Sequence, residues 1–400
     1  MHKWKTGLAA LALSALIAPA QSLAEKKYDP GASDAEIRIG NIMPYSGPAS
    51  AYSITGKVQK AYFDKINDEG GINGRKVTFI SYDDGYNPAK AVEQARKLVE
   101  SDQVLLIFSS LGTPSNTAIQ KYMNRKGVPQ LFVSTGASKF GDPKNFPWTM
   151  GFQPTYRVEA RMFAEHILAN APNGKIAALY QGDDYGREFL ESLKQSLGEK
   201  ASMIVAETPY EATQPTVDSQ IVSLKASGAD VFVNIATPKF AAQAIRKIAE
   251  LGCRPAHYVN NISSATSYVL KPAGLENAKG LISTAYVKDP ATGEWADDPG
   301  FKEWSAFMDK YAPDADKANL STVVAYISSQ ALADTLRRAG DDLTRANVMK
   351  QAADIRDLAL GMLLPGVTLA TGPEDYYPIE RMVLKRFNGE LWVNVGDASR

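Results

Sequence analysis

The sequence predicts an α/β protein built of two doubly wound layers, and three observations support this fold class. Segments typical of strands alternate with segments typical of amphipathic helices from residue 37 onward. The alternation restarts around residues 152–157, so two similar units follow each other along the chain. A length of 400 residues with 44% apolar residues is sufficient for two domains with ordinary cores. We therefore expect parallel strands joined by right-handed helical crossovers in each unit.

Residues 1–24 have the pattern of a secretory signal peptide. Lys3 and Lys5 give a positively charged start, residues 8–18 are apolar, and a cleavage site of small residues ends at Ala24. The residue directly after that site is Glu25 and not a cysteine, so we expect no lipid anchor. No later stretch approaches the roughly 20 apolar residues that a membrane-spanning helix needs. The expected location is the periplasm, with no insertion into a membrane.

Residues 25–34 are polar, contain Pro30 and Gly31, and lack periodicity, so we predict a flexible lead-in. In the first unit, residues 70–74 supply a helix stop and an Asn-Gly turn between the first helix and the second strand. The first unit is predicted to contain strands at 37–43, 76–82, 104–108 and 130–133, and helices at 56–67, 88–100 and 113–125.

The second unit repeats the pattern without any repeat of individual residues. Its predicted strands are 175–180, 202–206 and 230–235, and its predicted helices are 185–197, 216–227 and 240–251. Helical segments at 301–311 and 321–339 follow, and the chain closes with a hairpin, 379–387 and 390–395, turned by Asn388-Gly389. These last elements must pack on the earlier units, so we expect lobes assembled from discontinuous segments.

Charge and cysteine usage exclude several classes of function. The signal segment holds two lysines and no acid, which leaves 42 basic and 44 acidic residues and a net charge of −2. This balance provides no electrostatic footprint for nucleic acid or anionic lipid. Cys253 is the only cysteine, so an intramolecular disulfide and a cysteine-based metal site are excluded. We expect Cys253 to be a buried small apolar side chain.

The residues expected of an enzyme are scarce. Of three histidines, His166 lies in an amphipathic helix and His257 beside a strand, and neither has a metal partner at short range. The chain has no zinc-protease helix, no nucleophile elbow and no phosphate-binding loop. The carboxylate pairs Asp83-Asp84 and Asp183-Asp184 directly follow strands, which favours turn chemistry, with metal or acid-base work as the alternative. We expect no catalysis, no metal and no cofactor.

Three loops that follow strands carry the residues expected of a ligand site. They are 44–50, 109–115 and 134–138, and all are rich in hydroxyl side chains and glycine. Ligands of open parallel sheets bind beyond the carboxyl ends of the strands, where helix N-termini and free N–H groups point at the solute. The loops therefore predict a neutral, donor-rich cradle suited to a carboxylate, although ordinary helix capping by Ser and Thr is an alternative explanation.

Several short motifs are spread over nearly the whole chain after residue 38. They are Ile39-Gly40, Pro44-x-Ser46-Gly47, Ile66-Asn67-x-x-Gly70-Gly71-Ile72-Asn73-Gly74-Arg75, Asp83-Asp84, Pro88, Gly127-Val128-Pro129, Asp184-Tyr185-Gly186 and Gly280-Leu281. With these motifs the chain resembles the periplasmic binding proteins of the branched-chain amino-acid type, which serve ABC importers. The resemblance implies a type I periplasmic binding fold with three crossings between lobes, near Gln153, Tyr286 and Pro365-Gly366. It places residues 35–153 and 287–365 in lobe 1, and residues 154–286 and 366–400 in lobe 2.

By position, the resemblance implies that Thr113 and Ser138 donate hydroxyls to a ligand carboxylate and that Tyr185 closes over the ligand. The loop that commonly supplies an acid for the ligand ammonium reads 260–264 here and contains no acid. An unpaired buried ammonium is costly, so the ligand need not be an α-amino acid. The full candidate set is Tyr45, Ser46, Thr113, Gly136, Ala137, Ser138, Tyr185, Thr237 and Asn261.

These expectations describe a non-catalytic, monomeric receptor that captures a small carboxylate, an amino acid or an aromatic acid, and delivers it to an inner-membrane ABC permease. Two other classes remain open from the sequence. One is a periplasmic ligand sensor with the same fold that partners a membrane receptor. The other is a secreted α/β enzyme, for which the strand-end carboxylate pairs are the only support.

Overall fold

The computed structural model describes residues 1–2 and 26–395 of the chain. The predicted signal peptide thus lies outside the described residues, apart from its first two. The first part of the fold alternates strands and helices as predicted. Its elements are β1 Lys27–Tyr28, β2 Glu36–Met43, α1 Ser53–Asp68, β3 Lys76–Asp83, α2 Pro88–Arg96, β4 Leu106–Phe108, α3 Thr113–Lys126, β5 Gln130–Val133 and β6 Thr149–Gly151.

The second alternating part follows directly. Its elements are α4 Tyr156–Asn170, β7 Ile176–Gln181, α5 Asp184–Leu197, β8 Ile204–Tyr210, α6 Asp218–Ala226, β9 Val231–Ile235, α7 Pro238–Glu250, β10 Ala256–Val259, α8 Lys271–Ala273, α9 Leu275–Ala278 and β11 Ile282–Ala285. The chain ends with α10 Pro299–Tyr311, α11 Leu320–Ala339, β12 Asp342–Leu343, α12 Arg345–Ala352, β13 Val383–Phe387 and β14 Trp392–Asn394.

Two sheets organise these elements into two lobes, which confirms the predicted α/β class. The first lobe contains a five-stranded parallel sheet of order β3-β2-β4-β5-β6. The second contains a seven-stranded sheet of order β14-β13-β11-β10-β9-β7-β8, parallel except for the closing hairpin. α10 and α11 pack on α1 of the first lobe, while β13 and β14 extend the second sheet. Each lobe is therefore assembled from separated segments of the chain.

Residues 27–34 are not the flexible lead-in that the sequence predicted. β1 pairs in parallel with β12, with Lys27 opposite Asp342 and Tyr28 opposite Leu343. The buried Arg75 side chain donates to the Tyr28 hydroxyl at 2.9 Å and to the Ser33 carbonyl at 3.0 Å. A two-residue strand is too short to leave a periodic signal, and its pairing partner lies more than 300 residues away in sequence.

The chain passes between the two lobes at three places. It crosses between β6 and α4, and after β11, where Val287 pairs with Leu363. Beyond that pair the chain stays on the first lobe, because the Thr371 N–H donates to the Ile355 carbonyl and the Tyr377 hydroxyl donates to the Ser138 carbonyl. It then enters the second sheet at β13. The lobe bounds that the resemblance implied stay a prediction.

Candidate functional site

A cavity of about 70 Å³ lies between the two lobes, beyond the carboxyl ends of the strands. Loops after β4 and β5 line it from the first lobe, and loops after β9 and β10 line it from the second. This is the location that open parallel sheets provide for ligands. Its lining residues are Tyr52, Thr55, Tyr86, Leu111, Gly112, Thr113, Ser134, Thr135, Gln153, Tyr156, Tyr185, Thr237, Asn261, Ile262, Tyr268, Tyr286, Val287, Leu320, Ser321 and Val324.

Three hydroxyl groups meet at one side of this interlobe cavity. The Thr113 and Thr135 side-chain oxygens are 2.6 Å apart, and the Tyr156 hydroxyl lies 3.0 Å from Thr135 and 3.4 Å from Thr113. All three residues are buried. A hydroxyl can rotate to donate to whichever acceptor is present. This hydroxyl cluster can therefore turn one or more of its protons toward an anionic group.

Helix N-termini approach the cavity from both lobes. Thr113 is the first residue of α3, so its N–H has no carbonyl partner inside the helix. Thr237 is the residue directly before α7, and its N–H donates to the Tyr210 hydroxyl at 2.9 Å. The start of α3 depends on Gly112, whose φ of +99° is a conformation that side chains disfavour. A Cβ at Gly112 would also lie 2.6 Å from the Tyr86 ring. Because Gly112 has no Cβ, the chain can turn into α3 at this position while the Tyr86 ring packs against it in the cavity wall.

Six tyrosines contribute rings to the cavity wall, and the hydroxyls of Tyr52, Tyr86 and Tyr185 have protein partners. Tyr52 donates to the Ile262 carbonyl at 3.2 Å, and the Tyr86 hydroxyl accepts from the Gln181 amide at 3.2 Å. Tyr185 accepts from the Asn260 amide. The rings of Tyr156 and Tyr185 lie 5.0 Å apart, centre to centre. With their hydroxyls engaged, these tyrosines present mainly aromatic surface to a bound solute.

No side chain among the cavity-lining residues is charged. The nearest strand-end carboxylates have structural partners. Asp183 caps α5 by accepting from the Tyr185 and Gly186 N–H groups. Asp184 accepts from the Lys139 ammonium at 2.6 Å, and this bond holds the pKa of Asp184 below its usual value. The capping explanation therefore fits Asp183, whereas Asp184 forms an ion pair with Lys139 of the other lobe.

A buried glutamate that the sequence analysis did not single out positions one wall of the cavity. Glu159 of α4 accepts from the backbone N–H and the side-chain amide of Asn261, both at 2.6 Å, and from the Thr284 hydroxyl at 2.7 Å. Burial raises the pKa of Glu159 from its usual 4.5 to about 7, although these three donors oppose the shift. Glu159 thus fixes the loop after β10 that carries Asn261.

The raised pKa of Glu159 has a definite consequence for stability. Between pH 4.5 and 7 the unfolded chain has released this proton while the folded chain retains it. Stability therefore falls as pH rises through that window, because the folded state binds more protons than the unfolded state. A shift of this size corresponds to roughly 3 kcal/mol between the two ends of the window.

The two lobes touch each other across the mouth of the cavity. Besides the Lys139–Asp184 ion pair, the Ser138 N–H donates to the Glu188 carboxylate at 2.8 Å. The contacts of Tyr52 and Tyr86 described above also join one lobe to the other. Lys139 and Asp184 are partly exposed, with side-chain exposures of 33% and 44%. The structure is therefore a closed arrangement, held at its edge by contacts between protein groups.

The structure brings four of the nine predicted site residues to the cavity wall, namely Thr113, Tyr185, Thr237 and Asn261. The others lie elsewhere. The Tyr45 hydroxyl forms a hydrogen bond with Ser81, and its side chain packs over Gly56. Ser46 is exposed and donates its hydroxyl to Asp83. Ser138 lines a separate surface groove. Gly136 and Ala137 do not line the cavity, because their backbone groups bond Tyr156 and Thr135. Whether any of the nine contacts a ligand stays a prediction.

Thr135 and Tyr156 are the principal lining residues that sequence reasoning missed. Thr135 lies inside the predicted loop 134–138, but Ser138 was chosen instead. Phe132 in β5 has a left-handed φ of +54°, and the register with β6 shifts between Gln130 and Val133. Thr135 lines the cavity directly after this irregular strand. The sequence feature that could have identified Thr135 is the position of its hydroxyl, two residues after the end of β5.

Two structural features are absent from residues 1–2 and 26–395. In that part of the chain no helix is both long and apolar enough to cross a membrane. The same residues contain no group of three or more His, Cys, Asp or Glu side chains placed to hold a metal ion.

Comparisons with known proteins give consistent matches. The sequence model of the periplasmic binding protein family matches residues 36–386. Leu/Ile/Val-binding protein homolog 7 of Brucella abortus (strain 2308) is 24% identical over 385 residues, which cover 92% of this chain and 89% of that protein.

Solved structures share the architecture at low identity. A branched-chain amino acid ABC transporter protein from Thermus thermophilus with bound valine gives a TM-score of 0.83 at 16% identity, covering 92% of this chain and 97% of that one. A fatty acid ABC transporter substrate-binding protein from Thermomonospora curvata gives 0.76 at 20%, covering 94% and 95%. At these identities the structural matches show a common fold.

Proposed function

The chain belongs to the periplasmic binding protein family, and on that premise we propose that it is the solute-capturing component of an ABC importer. The predicted class, a type I periplasmic binding fold of two α/β lobes, is confirmed by the family match and the structural neighbours. Family members are solute-binding proteins, and the non-catalytic role proposed here follows from that. The interlobe cavity is the proposed capture site.

The observation that carries the proposal is a cavity wall with clustered hydroxyls and no charged side chain. A carboxylate can be met there by the Thr113 and Thr135 hydroxyls, by the free N–H at the start of α3, and by the helix dipole. An α-ammonium would find only neutral acceptors, and burying an unpaired charge is costly. The proposed solute is therefore a small carboxylic acid without an amino group.

The tyrosine rings support an aromatic body for this acid. Rings of the wall such as Tyr156 and Tyr185 can pack against a ligand ring in tilted or edge-to-face geometry once the lobes part enough to enlarge the cavity beyond its present 70 Å³. Their hydroxyls already have protein partners, so an apolar ligand surface leaves none of them unpaired. The Leu/Ile/Val-binding relatives favour an aliphatic amino acid instead. The two classes of solute differ in the ammonium group, for which the cavity wall provides no acidic side chain.

A thermal-shift panel tests this proposal directly. Benzoate and phenylacetate are compared with L-leucine and L-valine at equal concentration, because a ligand that binds only the folded state stabilises it by RT ln(1 + [L]/Kd). We expect the aromatic acids to raise the melting temperature and the amino acids to leave it unchanged. Strong stabilisation by leucine or valine with no effect of the aromatic acids would contradict the proposed solute class.

Delivery to a permease is tested separately in cells. Deletion of the gene should reduce uptake of radiolabelled solute, and the wild-type gene should restore it. Unchanged uptake in the deletion strain, with binding intact in vitro, would instead support the sensor role.

A further inference from the structure

A second cavity, of about 300 Å³, lies in the second lobe at the far end of its sheet from the interlobe cavity. It opens between α6 and α7, at the amino ends of β7 and β9. The interlobe cavity lies beyond the carboxyl ends of the same strands, so the whole sheet separates the two. We refer to it as the distal cavity.

The floor of the distal cavity is apolar. Ile221 and Leu224 of α6, Phe232 of β9 and Ile248 of α7 contribute its side chains. Protein interiors rarely leave voids larger than a water molecule. An engineered apolar cavity of about 150 Å³ is large enough to bind benzene. The distal cavity is about twice that size and can accept an extended hydrocarbon group.

The rim of the distal cavity carries more positive than negative charge. Lys225 donates to the Leu251 carbonyl at 2.9 Å, which places its ammonium at the mouth, and the neighbouring Arg254 is exposed. Within residues 26–395 neither cation takes part in an ion pair of 4 Å or less. Asp230 is also on the rim, where its carboxylate accepts from the Lys175 N–H at 2.6 Å. Two cations without acid partners therefore border an apolar pocket.

We infer that the distal cavity binds an aliphatic carboxylate of medium chain length, with its hydrocarbon tail on the apolar floor and its carboxylate beside Lys225 and Arg254. Guanidinium and ammonium groups form strong charge-assisted hydrogen bonds with carboxylates. The tail gains dispersion contacts with the floor side chains, which are themselves already buried. This site is independent of the interlobe cavity and of the solute proposed for it.

The chain provides its own reporter of occupancy. Cys253 is the only cysteine of the sequence, it lines the distal cavity, and it is partly exposed rather than fully buried as the sequence suggested. The rate at which neutral iodoacetamide alkylates Cys253 therefore measures access to the cavity. Octanoate is the probe, and octanol is its matched control with the same tail length and no charge.

At octanoate concentrations tenfold above its dissociation constant, alkylation should slow about tenfold by mass action. Octanol should protect much less. Lys225→Gln and Arg254→Gln should each weaken protection by octanoate, while Lys57→Gln, an exposed lysine on α1, should leave it unchanged. For each variant, the alkylation rate with octanoate is divided by the rate of the same variant without octanoate. A change in the intrinsic reactivity of Cys253 therefore does not affect the comparison.

Three results would overturn the inference. The first is unchanged alkylation in saturating octanoate, and the second is equal protection by octanol. The third is protection lost in Thr113→Val, because the effect would then come from the interlobe cavity. Leu224→Trp, which fills the distal cavity, should abolish protection. If that variant does not fold, the two rim variants still decide the question.

Discussion

Replacing Thr113 by valine removes one hydroxyl from the interlobe cavity and leaves the shape of the side chain nearly unchanged. A hydrogen bond to a charged acceptor contributes about 1.5–3 kcal/mol, so the dissociation constant for benzoate should rise roughly 10- to 150-fold. Folding should change little. The Thr135 and Tyr156 hydroxyls remain 3.0 Å apart and can still bond each other, which limits the loss of stability to about 1 kcal/mol.

Isothermal titration with benzoate measures the effect, and a second variant supplies the control. Thr335→Val makes the same chemical change at a fully buried threonine of α11, whose hydroxyl donates only to the Ala331 carbonyl at 2.9 Å. It should retain the wild-type affinity. Binding by Thr113→Val within twofold of wild type would refute the role of the hydroxyl cluster, and so would equal weakening in Thr335→Val.

Three further predictions concern the frame around the cavity. Gly112→Ala should lower stability by about 1–3 kcal/mol in denaturant titrations, because a Cβ at a φ of +99° would collide with the Tyr86 ring; a neutral effect would contradict this packing. Lys139→Ala should weaken benzoate binding by no more than about fivefold, since a partly exposed ion pair with Asp184 contributes at most about 1 kcal/mol. For Lys139→Ala, small-angle scattering should also show a larger radius of gyration than for the wild type at low ligand concentration. An unchanged radius would argue that the Lys139–Asp184 ion pair does not help to hold the lobes closed. Glu159→Gln should flatten the loss of stability as pH rises from 4.5 to 7, by roughly 3 kcal/mol relative to wild type, and parallel pH profiles for the two proteins would show that Glu159 titrates normally.

Local sequence patterns predicted the elements where burial is uniform along a segment. β5 lies at residues 130–133, as predicted, because a short apolar run bounded by Pro129 and the polar 134–138 has few alternatives. β8 was predicted too early, at 202–206, because residues 204–210 alternate in exposure at the edge of the sheet and include Pro209. Edge strands tolerate proline, so the pattern there was weak.

The site could be predicted only where a residue's role follows from its position in an element. The loop 109–115 was predicted because a helix start after a buried strand is a general ligand position, and Thr113 was named within it because the family resemblance places a carboxylate-binding hydroxyl there. Thr135 was not, because the positive φ of Phe132 and the β5–β6 register shift are three-dimensional features without a sequence pattern. Glu159 fits the amphipathic helix α4 like any other acidic residue, and its burial depends on Asn261 and Thr284, more than 100 residues away.

Native mass spectrometry of protein released from the periplasm without refolding tests the central claim most directly. The account predicts one retained small molecule per chain, lost on denaturation and identified by its exact mass as a carboxylic acid without an amino group. Thr113→Val prepared in the same way should retain less of it. A retained α-amino acid such as leucine or valine would contradict the account, because its ammonium would lie in a cavity whose lining has no charged side chain.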